Sequence, residues 1–345
     1  MKRNLLIAEV QRTPWALEPN YGATMISVLQ GWQKGDRASE ETLSNLRAAR
    51  SVTTARQQAT ARTAGGSIAV LPLYGIISQR AGMLQDYSGG TSTQQFASAL
   101  REAVSDDGVS QILIDIDSPG GSVFGVQELA SEIMQARVSK PIIGFADSTC
   151  ASAAYWIGAC CSELYSTPGG ECGSIGVWQQ HVDISKSLEE EGINVTLISA
   201  GRFKTEGNQF GPLLPEGKNF MQERTDQYYR AFTTAVARGR GVPVDTVRNG
   251  MGQGRMLGAQ DALREKMIDG VATISEVIGG MQRNIKAGSR GASAVPGRSA
   301  AALAHSARIR EIEIMEAGGA PPARAPSPRL ARMLSEIAAM ERGAR

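Results

Sequence analysis

Residues 112–122 read Ile112-Leu113-Ile114-Asp115-Ile116-Asp117-Ser118-Pro119-Gly120-Gly121-Ser122. The apolar run predicts a buried strand, and the Pro-Gly-Gly sequence predicts a turn directly after it. Glycines in such a turn allow backbone N–H groups to face an incoming carbonyl oxygen, as an oxyanion hole requires. An ordinary strand-to-helix turn would also explain these residues, so this segment alone leaves both interpretations open.

Strands and helices alternate on both sides of this segment. The pattern predicts strands at 68–73, 112–116, 142–146 and 194–198, and helices at 93–104, 126–136 and 215–238. Alternation at this spacing is typical of a parallel sheet whose faces are covered by crossover helices. The sequence therefore predicts an α/β fold.

The two ends of the chain differ in composition from this α/β region. Residues 1–65 are interpreted as an N-terminal extension, with a helix near 25–32 and a small, polar linker at 53–66. The α/β domain is assigned to 66–280. Residues 291–345 contain 15 alanines, and no aromatic residue follows Phe232. We expect the tail at 281–345 to be flexible, partly helical and outside the domain, because it has little large apolar surface to bury.

Composition argues against several classes of protein. A net charge of +2 with 42% hydrophobic residues is typical of a soluble globular protein rather than a nucleic-acid-binding one. No apolar run approaches the roughly 20 residues of a membrane helix, and the apolar run near the start is too short for a signal peptide. Four cysteines without CxxC spacing favour buried thiols in a reducing cytoplasm. We therefore expect no metal and no cofactor.

A candidate nucleophile follows the strand at 142–146, in the segment Cys150-Ala151-Ser152-Ala153-Ala154. A serine between alanines at a helix start is closely approachable and lies at the positive end of the helix dipole. Serine is also a common N-cap residue, which would explain the same position without any chemistry.

Few histidines could act as the base for this serine, because the chain has only His181 and His305. His305 lies in the tail, and His181 is interpreted as a structural or surface residue. Lys204, in the segment Ser199-Ala200-Gly201-Arg202-Phe203-Lys204, is then the candidate base of a Ser-Lys pair. Burial in an apolar site would lower its pKa and leave the amine able to accept a proton. A solvated surface lysine is the ordinary alternative.

Four segments taken together resemble the signal peptide peptidase A family of serine peptidases. They are Asp117-Ser118-Pro119-Gly120-Gly121, Ala151-Ser152-Ala153-Ala154-Tyr155, Gly173-Ser174-Ile175-Gly176-Val177, and Ser199-Ala200-Gly201 with Lys204. The resemblance covers about residues 66–280. It implies a Clp protease/crotonase-like core of repeated β-β-α units, usually assembled into homo-oligomeric rings.

The resemblance also implies roles for individual residues. Ser152 would be the nucleophile, Lys204 the general base and Ser174 the residue that orients the lysine. Backbone N–H groups near Gly120 and Gly121, with that of Ala153, would form the oxyanion hole. Many members of the family have glycines where this chain has Ala153 and Ala154. The additional methyl groups narrow the space beside the serine, so the resemblance implies the catalytic chemistry more directly than the substrate preference.

Within that family the chain is most similar to phage head-maturation proteases. The start Pro14-Trp15-Ala16-Leu17-Glu18-Pro19-Asn20-Tyr21 and the Ala/Arg-rich tail support this similarity. It implies an enzyme in the host cytoplasm, inside the immature head, which cleaves scaffold, itself and in some systems portal or coat protein. A cytoplasmic bacterial peptidase, a crotonase-like acyl-CoA enzyme and a catalytically silent assembly scaffold are the alternatives. The cleavage site, ring size and physiological substrate are left open.

Overall fold

The computed structural model describes residues 10, 13–25, 61–63, 66–80 and 90–290 of the 345-residue chain. Its strands are β1 (Trp15–Leu17), β2 (Ala61–Thr63), β3 (Gly66–Tyr74), β4 (Ile77–Ser78), β5 (Thr91–Ser92), β6 (Val109–Ser118), β7 (Gly120–Ser122), β8 (Ile142–Ala151), β9 (Glu163–Ser166), β10 (Glu171–Gly173), β11 (Met256–Gly258) and β12 (Gly270–Val271). Its labelled helices are α1 (Thr93–Ser105), α2 (Val126–Ala136), α3 (Ala153–Gly158), α4 (Ser185–Glu190), α5 (Pro215–Arg240), α6 (Val244–Asn249), α7 (Ala259–Arg264) and α8 (Ile274–Arg290).

The larger sheet has the strand order β11-β10-β8-β6-β3-β2. Strands β3, β6, β8 and β10 run parallel, whereas β2 and β11 are antiparallel to their neighbours. The ten-residue strand β8 has two partners on one side, because its first half pairs with β9 and its last three residues pair with β10. A smaller sheet has the order β1-β7-β4-β5.

Alternation along β6 divides the core between the two faces of the larger sheet. Ile112, Ile114 and Ile116 belong to the main hydrophobic cluster, which includes side chains of α1, α2, α3 and α5. Leu113 belongs to a second cluster with Val277 and other side chains of α8. This is the period of two expected for a strand with both faces buried. Each fully buried aliphatic side chain contributes about 1.5–3 kcal/mol relative to an exposed one.

Most of the predicted elements are confirmed, with extended ends. The strands predicted at 68–73, 112–116 and 142–146 correspond to β3, β6 and β8, and the predicted helices correspond to α1, α2 and α5. The α/β class is therefore confirmed.

The strand predicted at 194–198 is wrong, because these residues are irregular and exposed. Val195 and Leu197 are exposed, and Ile198 is 96% exposed. A strand needs a neighbour with which to hydrogen bond. The side of β8 on which another strand would pair is already occupied by β9 and β10, and β10 is itself covered by β11.

The predicted flanks lie partly outside the described residues. The helix predicted at 25–32 is described only at Met25, which is helical. The end of the predicted linker is a strand instead, because Ala61–Thr63 pairs with β3. Helix α8 continues past residue 280, with Met281 and Ile285 buried against the sheet. The tail from 291 onward lies outside the described residues. No helix within the described ranges has the length and apolar character needed to span a membrane.

Candidate active site

Ser152 lies at the sharp turn between β8 and α3. Its backbone angles are φ 54° and ψ −115°, a conformation that costs a non-glycine residue about 1–3 kcal/mol. The neighbouring strand holds it there, since the Ser152 N–H donates to the Gly173 carbonyl at 2.7 Å. A strained residue maintained by its surroundings is typical of a functional position.

The side chain of Ser152 does not cap the helix that follows it. Its hydroxyl instead donates to the Gly176 carbonyl at 3.4 Å, and the residue is only 1% exposed. Ser152 therefore occupies the N-cap position of α3, but its side chain makes no capping hydrogen bond. The hydroxyl projects toward the segment after Ser174 and not back onto its own helix.

The glycine turn contacts the backbone on both sides of Ser152. A Cβ atom built on Gly120, whose φ is +97°, would lie 3.0 Å from both the Ala151 oxygen and the Ala153 nitrogen. The Gly120 N–H is engaged by the Ser118 hydroxyl at 3.1 Å. The Ala153 N–H is in the first turn of α3 and has no acceptor within the helix. An ordinary strand-to-helix turn does not describe this segment, because β7 follows the proline and α2 begins only at Val126.

Ser174 is placed beside the same turn by the pairing of β10 with β8. Gly173 pairs with Ala151, and Ser174 follows it with a φ of 54° and 4% exposure. Its N–H donates to the Arg255 carbonyl at 2.9 Å. The structure therefore brings Ser152, Ala153 and Ser174 together with the Gly120–Gly121 turn.

Lys204 is not part of this group. It lies in an exposed turn, where its backbone N–H donates to the Gly201 carbonyl at 3.1 Å. The expectation of a buried, dry environment for this amine is wrong for a single copy of the chain. The physical reason is the missing strand at 194–198, because without it residues 192–214 form an exposed segment, which we call the arm.

The other polar candidates are accounted for by structural contacts. A ring nitrogen of His181 lies 2.8 Å from the carbonyl oxygen of Asn208, which belongs to the arm. All four cysteines are free and buried, as the sequence predicted. Burial raises the pKa of Cys160 to about 12 and raises that of Cys150, so both remain protonated thiols near neutral pH.

Sequence reasoning missed β1 and Trp178. Strand β1 pairs antiparallel with β7, and Trp15 forms a bridge with Trp178 on its other side. The segment at 14–21 had been noted only for its resemblance to phage proteins. Three consecutive residues of the type found in buried strands, Trp15-Ala16-Leu17, were the available signal.

Comparisons with known proteins agree with this geometry. Residues 135–287 match the model of peptidase family S49. The chain is 34% identical over 224 residues to the head-tail preconnector protein GP5 of Enterobacteria phage P21, covering 64% of this chain and 44% of that protein. It is 32% identical over 244 residues to the capsid assembly protease C of Escherichia phage lambda, covering 68% of this chain and 55% of that protein.

A putative protease of Methanocaldococcus jannaschii is 27% identical over 183 residues, which cover 53% of this chain and 58% of that protein. The chain thus spans about half the length of the curated relatives that it matches. The matched range includes the strained Ser152 and the Ala153 that follows it. Residues 135–287 of this chain are therefore similar to the domain of peptidase family S49.

Proposed function

We propose that the chain is a serine endopeptidase in which Ser152 is the nucleophile and Lys204 is the general base. The observation that carries this proposal is the strained, non-capping conformation of Ser152 beside two backbone segments rich in N–H donors. A crotonase-like enzyme would not require a serine here. Buried cysteines with raised pKa values are poor competitors for the role of nucleophile.

The chemistry follows the general course of acyl transfer. The neutral Lys204 amine takes the proton of Ser152, and the serine oxygen attacks the peptide carbonyl. The N–H groups of Gly121 and Ala153 stabilise the oxyanion, and losing one such donor typically costs about 10²–10³ in kcat. The protonated amine then gives its proton to the leaving amino group, and water hydrolyses the acyl-enzyme by the same route. Ser174 would orient the amine.

Because Lys204 is exposed in one copy, the proposal requires the arm to bring it to a serine. The arm carries large apolar side chains that solvent reaches: Ile193, Val195, Leu197, Ile198, Phe203 and Leu214. An exposed apolar patch of this kind is typical of a protein–protein interface. We therefore propose that copies of the chain assemble, as a ring, and that the arm of one copy delivers Lys204 to Ser152 of its neighbour.

Mixing two inactive variants tests both parts of this proposal. Ser152→Ala and Lys204→Ala should each abolish hydrolysis of a protein substrate, whereas Ser131→Ala, on the exposed face of α2, should not. After unfolding and refolding together, the two inactive chains should regain activity, because some sites combine an intact serine with an intact lysine. Full activity in either single variant would overturn the assigned roles, and no recovery in the mixture would overturn delivery between copies.

The phage relatives suggest the biological setting. We propose that the enzyme acts in the cytoplasm of the host, inside the immature phage head, on scaffold protein, on itself and on portal or coat protein. The supporting observation is the identity above 30% to two phage proteins, one named a capsid assembly protease. A phage carrying Ser152→Ala should accumulate uncut scaffold in its heads, as seen on a gel. Normal processing in that phage would contradict this role.

A further inference from the structure

A segment from the start of the chain lies in a groove beside Ser152. Strand β1 (Trp15–Leu17) has β7 on one side and Trp178 on the other. β7 is the continuation of the glycine turn that contacts Ala153, and Trp178 lies two residues after Gly176, which accepts the Ser152 hydroxyl. Both walls of the groove are therefore parts of the candidate active site.

The register of β1 directs one of its carbonyls toward the oxyanion donors. The Val123 N–H donates to the Pro14 carbonyl at 3.2 Å, and the Glu18 N–H donates to the Pro119 carbonyl at 2.9 Å. Hydrogen-bonded pairs alternate along an antiparallel ladder, so Ala16 and Gly121, midway between these two, also form a hydrogen-bonded pair. The Gly121 N–H thus faces the Ala16 carbonyl.

Contacts on the opposite side complete the groove. Trp15 and Trp178 exchange two backbone hydrogen bonds of 2.9 Å, and the Trp178 indole donates to the Leu17 carbonyl at 2.9 Å. Trp15, Ala16 and Leu17 are at most 2% exposed, and Ser152 is 1% exposed. A polypeptide held by both edges, with a carbonyl at the oxyanion donors, occupies the place that an extended substrate would take.

We propose that residues 13–18 fill the substrate groove of their own chain and keep the protease inactive until they are displaced. The inference rests on the proposed function of Ser152. It also names the class of substrate, which is an extended segment with a small side chain at the position of Ala16. A Cβ built on Gly120 would lie 2.3 Å from the Ala16 oxygen, so the two backbones approach closely here.

The segment remains uncut in this arrangement because Ser152 has no base beside it. Lys204 is exposed on the arm, and the Ser152 hydroxyl is directed at the Gly176 carbonyl. Docking of the arm and departure of β1 would then both be required before a substrate is hydrolysed.

A charge placed under the strand provides the first test. Ala16 is fully buried, so Ala16→Asp should expel the segment, whereas Ala23→Asp, on an exposed position of the same region, should not. In the full chain we expect Ala16→Asp to react with a fluorophosphonate probe at Ser152 at least tenfold faster than wild type, with loss of fluoride as the serine oxygen bonds to phosphorus. Equal rates in wild type, Ala16→Asp and Ala23→Asp would overturn the inference.

A synthetic peptide tests the same groove in trans. The peptide of residues 12–20 should inhibit casein hydrolysis by the Ala16→Asp enzyme competitively, and the same peptide with Ala16→Asp should not. Inhibition by neither peptide or by both equally would overturn the inference.

Amide hydrogen exchange offers a check that does not depend on the folding of Ala16→Asp. In full-length Ser152→Ala, saturating casein should increase exchange at residues 15–17, and unchanged exchange would contradict displacement.

Failure of the inference can be distinguished from failure of the proposed function. If the probe labels Ser152 in no variant, the nucleophile itself is misassigned. If it labels Ser152 equally in all variants, the assignment of Ser152 as the nucleophile is supported and the inhibitory role of β1 is contradicted. Cleavage between Ala16 and Leu17 in wild type but not in Ser152→Ala, read by mass spectrometry, would make the segment a substrate and overturn its role as an inhibitor.

Discussion

Ser152 and Ser174 share an unusual backbone, with a φ of 54° at each. The Ser152 N–H donates to the carbonyl of Gly173, at the end of β10, and the Ser174 N–H donates to the carbonyl of Arg255, just before β11. Strain of this kind persists only where the surrounding structure determines it, and it is concentrated at functional sites. The sequence identified both residues by their place in a motif, but a single sequence carries no signal for their dihedral angles.

Gly120→Ala should damage the site more than the fold. The new methyl would lie 2.3 Å from the Ala16 oxygen and 3.0 Å from the Ala153 nitrogen, at a φ of +97° that alanine rarely adopts. We expect stability to fall by about 1–3 kcal/mol and kcat to fall about 10²-fold or more, because the neighbouring Gly121 donor is displaced. Denaturant unfolding and peptide hydrolysis measure the two effects.

Gly169→Ala is the matched control, since nothing lies within 4 Å of a Cβ at that glycine and its φ is ordinary. It should change neither quantity. A Gly120→Ala enzyme with wild-type kcat would show that this turn does not hold an oxyanion donor.

At the scale of secondary-structure elements, prediction from the sequence succeeded where a run of apolar residues could only be explained by a buried strand. The run of apolar residues in β6 predicted a strand buried on both faces, and its alternating side chains do enter two clusters. The segment at 194–198 has three apolar residues of five, but the side of β8 on which it would pair is occupied by β9 and β10. Strand β1 was missed for the opposite reason, because three residues are too few to show a period and its partner lies about a hundred positions away.

An ion pair between a buried arginine and a partly exposed aspartate links the end of α5 to the edge of the larger sheet. Arg240 donates to both carboxylate oxygens of Asp269, at 2.7 and 2.9 Å, and its guanidinium is 4% exposed. Asp269 also accepts from the Leu164 N–H at 2.7 Å, at the start of β9. Asp269→Asn should therefore leave a buried cation without its counter-charge and cost about 2 kcal/mol of unfolding free energy, less than in a fully buried pair because the Asp269 side chain is 36% exposed.

Asp261→Asn provides the comparison, because its pair with Arg264 has both side chains more than half exposed. Its cost should stay below about 1 kcal/mol. Urea unfolding followed by circular dichroism measures both variants. Equal costs would show that burial of the Arg240 pair does not add to its contribution.

At the scale of the whole molecule, some of the proposed catalytic groups belong to the packed sheet and one belongs to an exposed loop. The nucleophile, the glycine turn and Ser174 are built into the packed sheet, whereas Lys204 is carried by a loop that makes few contacts. Strand β1, which we propose fills the substrate groove, pairs with β7 of the smaller sheet. The residues of the first group lie close together because adjacent parallel strands place their ends at the same edge of the sheet. The order of the motifs along the sequence could not predict the position of Lys204, which depends on what the arm contacts.

The arm should therefore determine assembly. Ile198 is 96% exposed and is one of several exposed large apolar residues of the arm, which is the kind of surface found at protein–protein interfaces. Ile198→Asp should shift the full-length chain from the assembled to the single-copy form in analytical ultracentrifugation and reduce peptide hydrolysis in parallel, while the unfolding free energy of one copy stays within about 0.5 kcal/mol. Val138→Asp adds the same charge at a valine that is 61% exposed after α2, and it should leave mass and activity unchanged. If Ile198→Asp remained fully assembled and active, the arm could not be the element that carries Lys204 from one copy to the next.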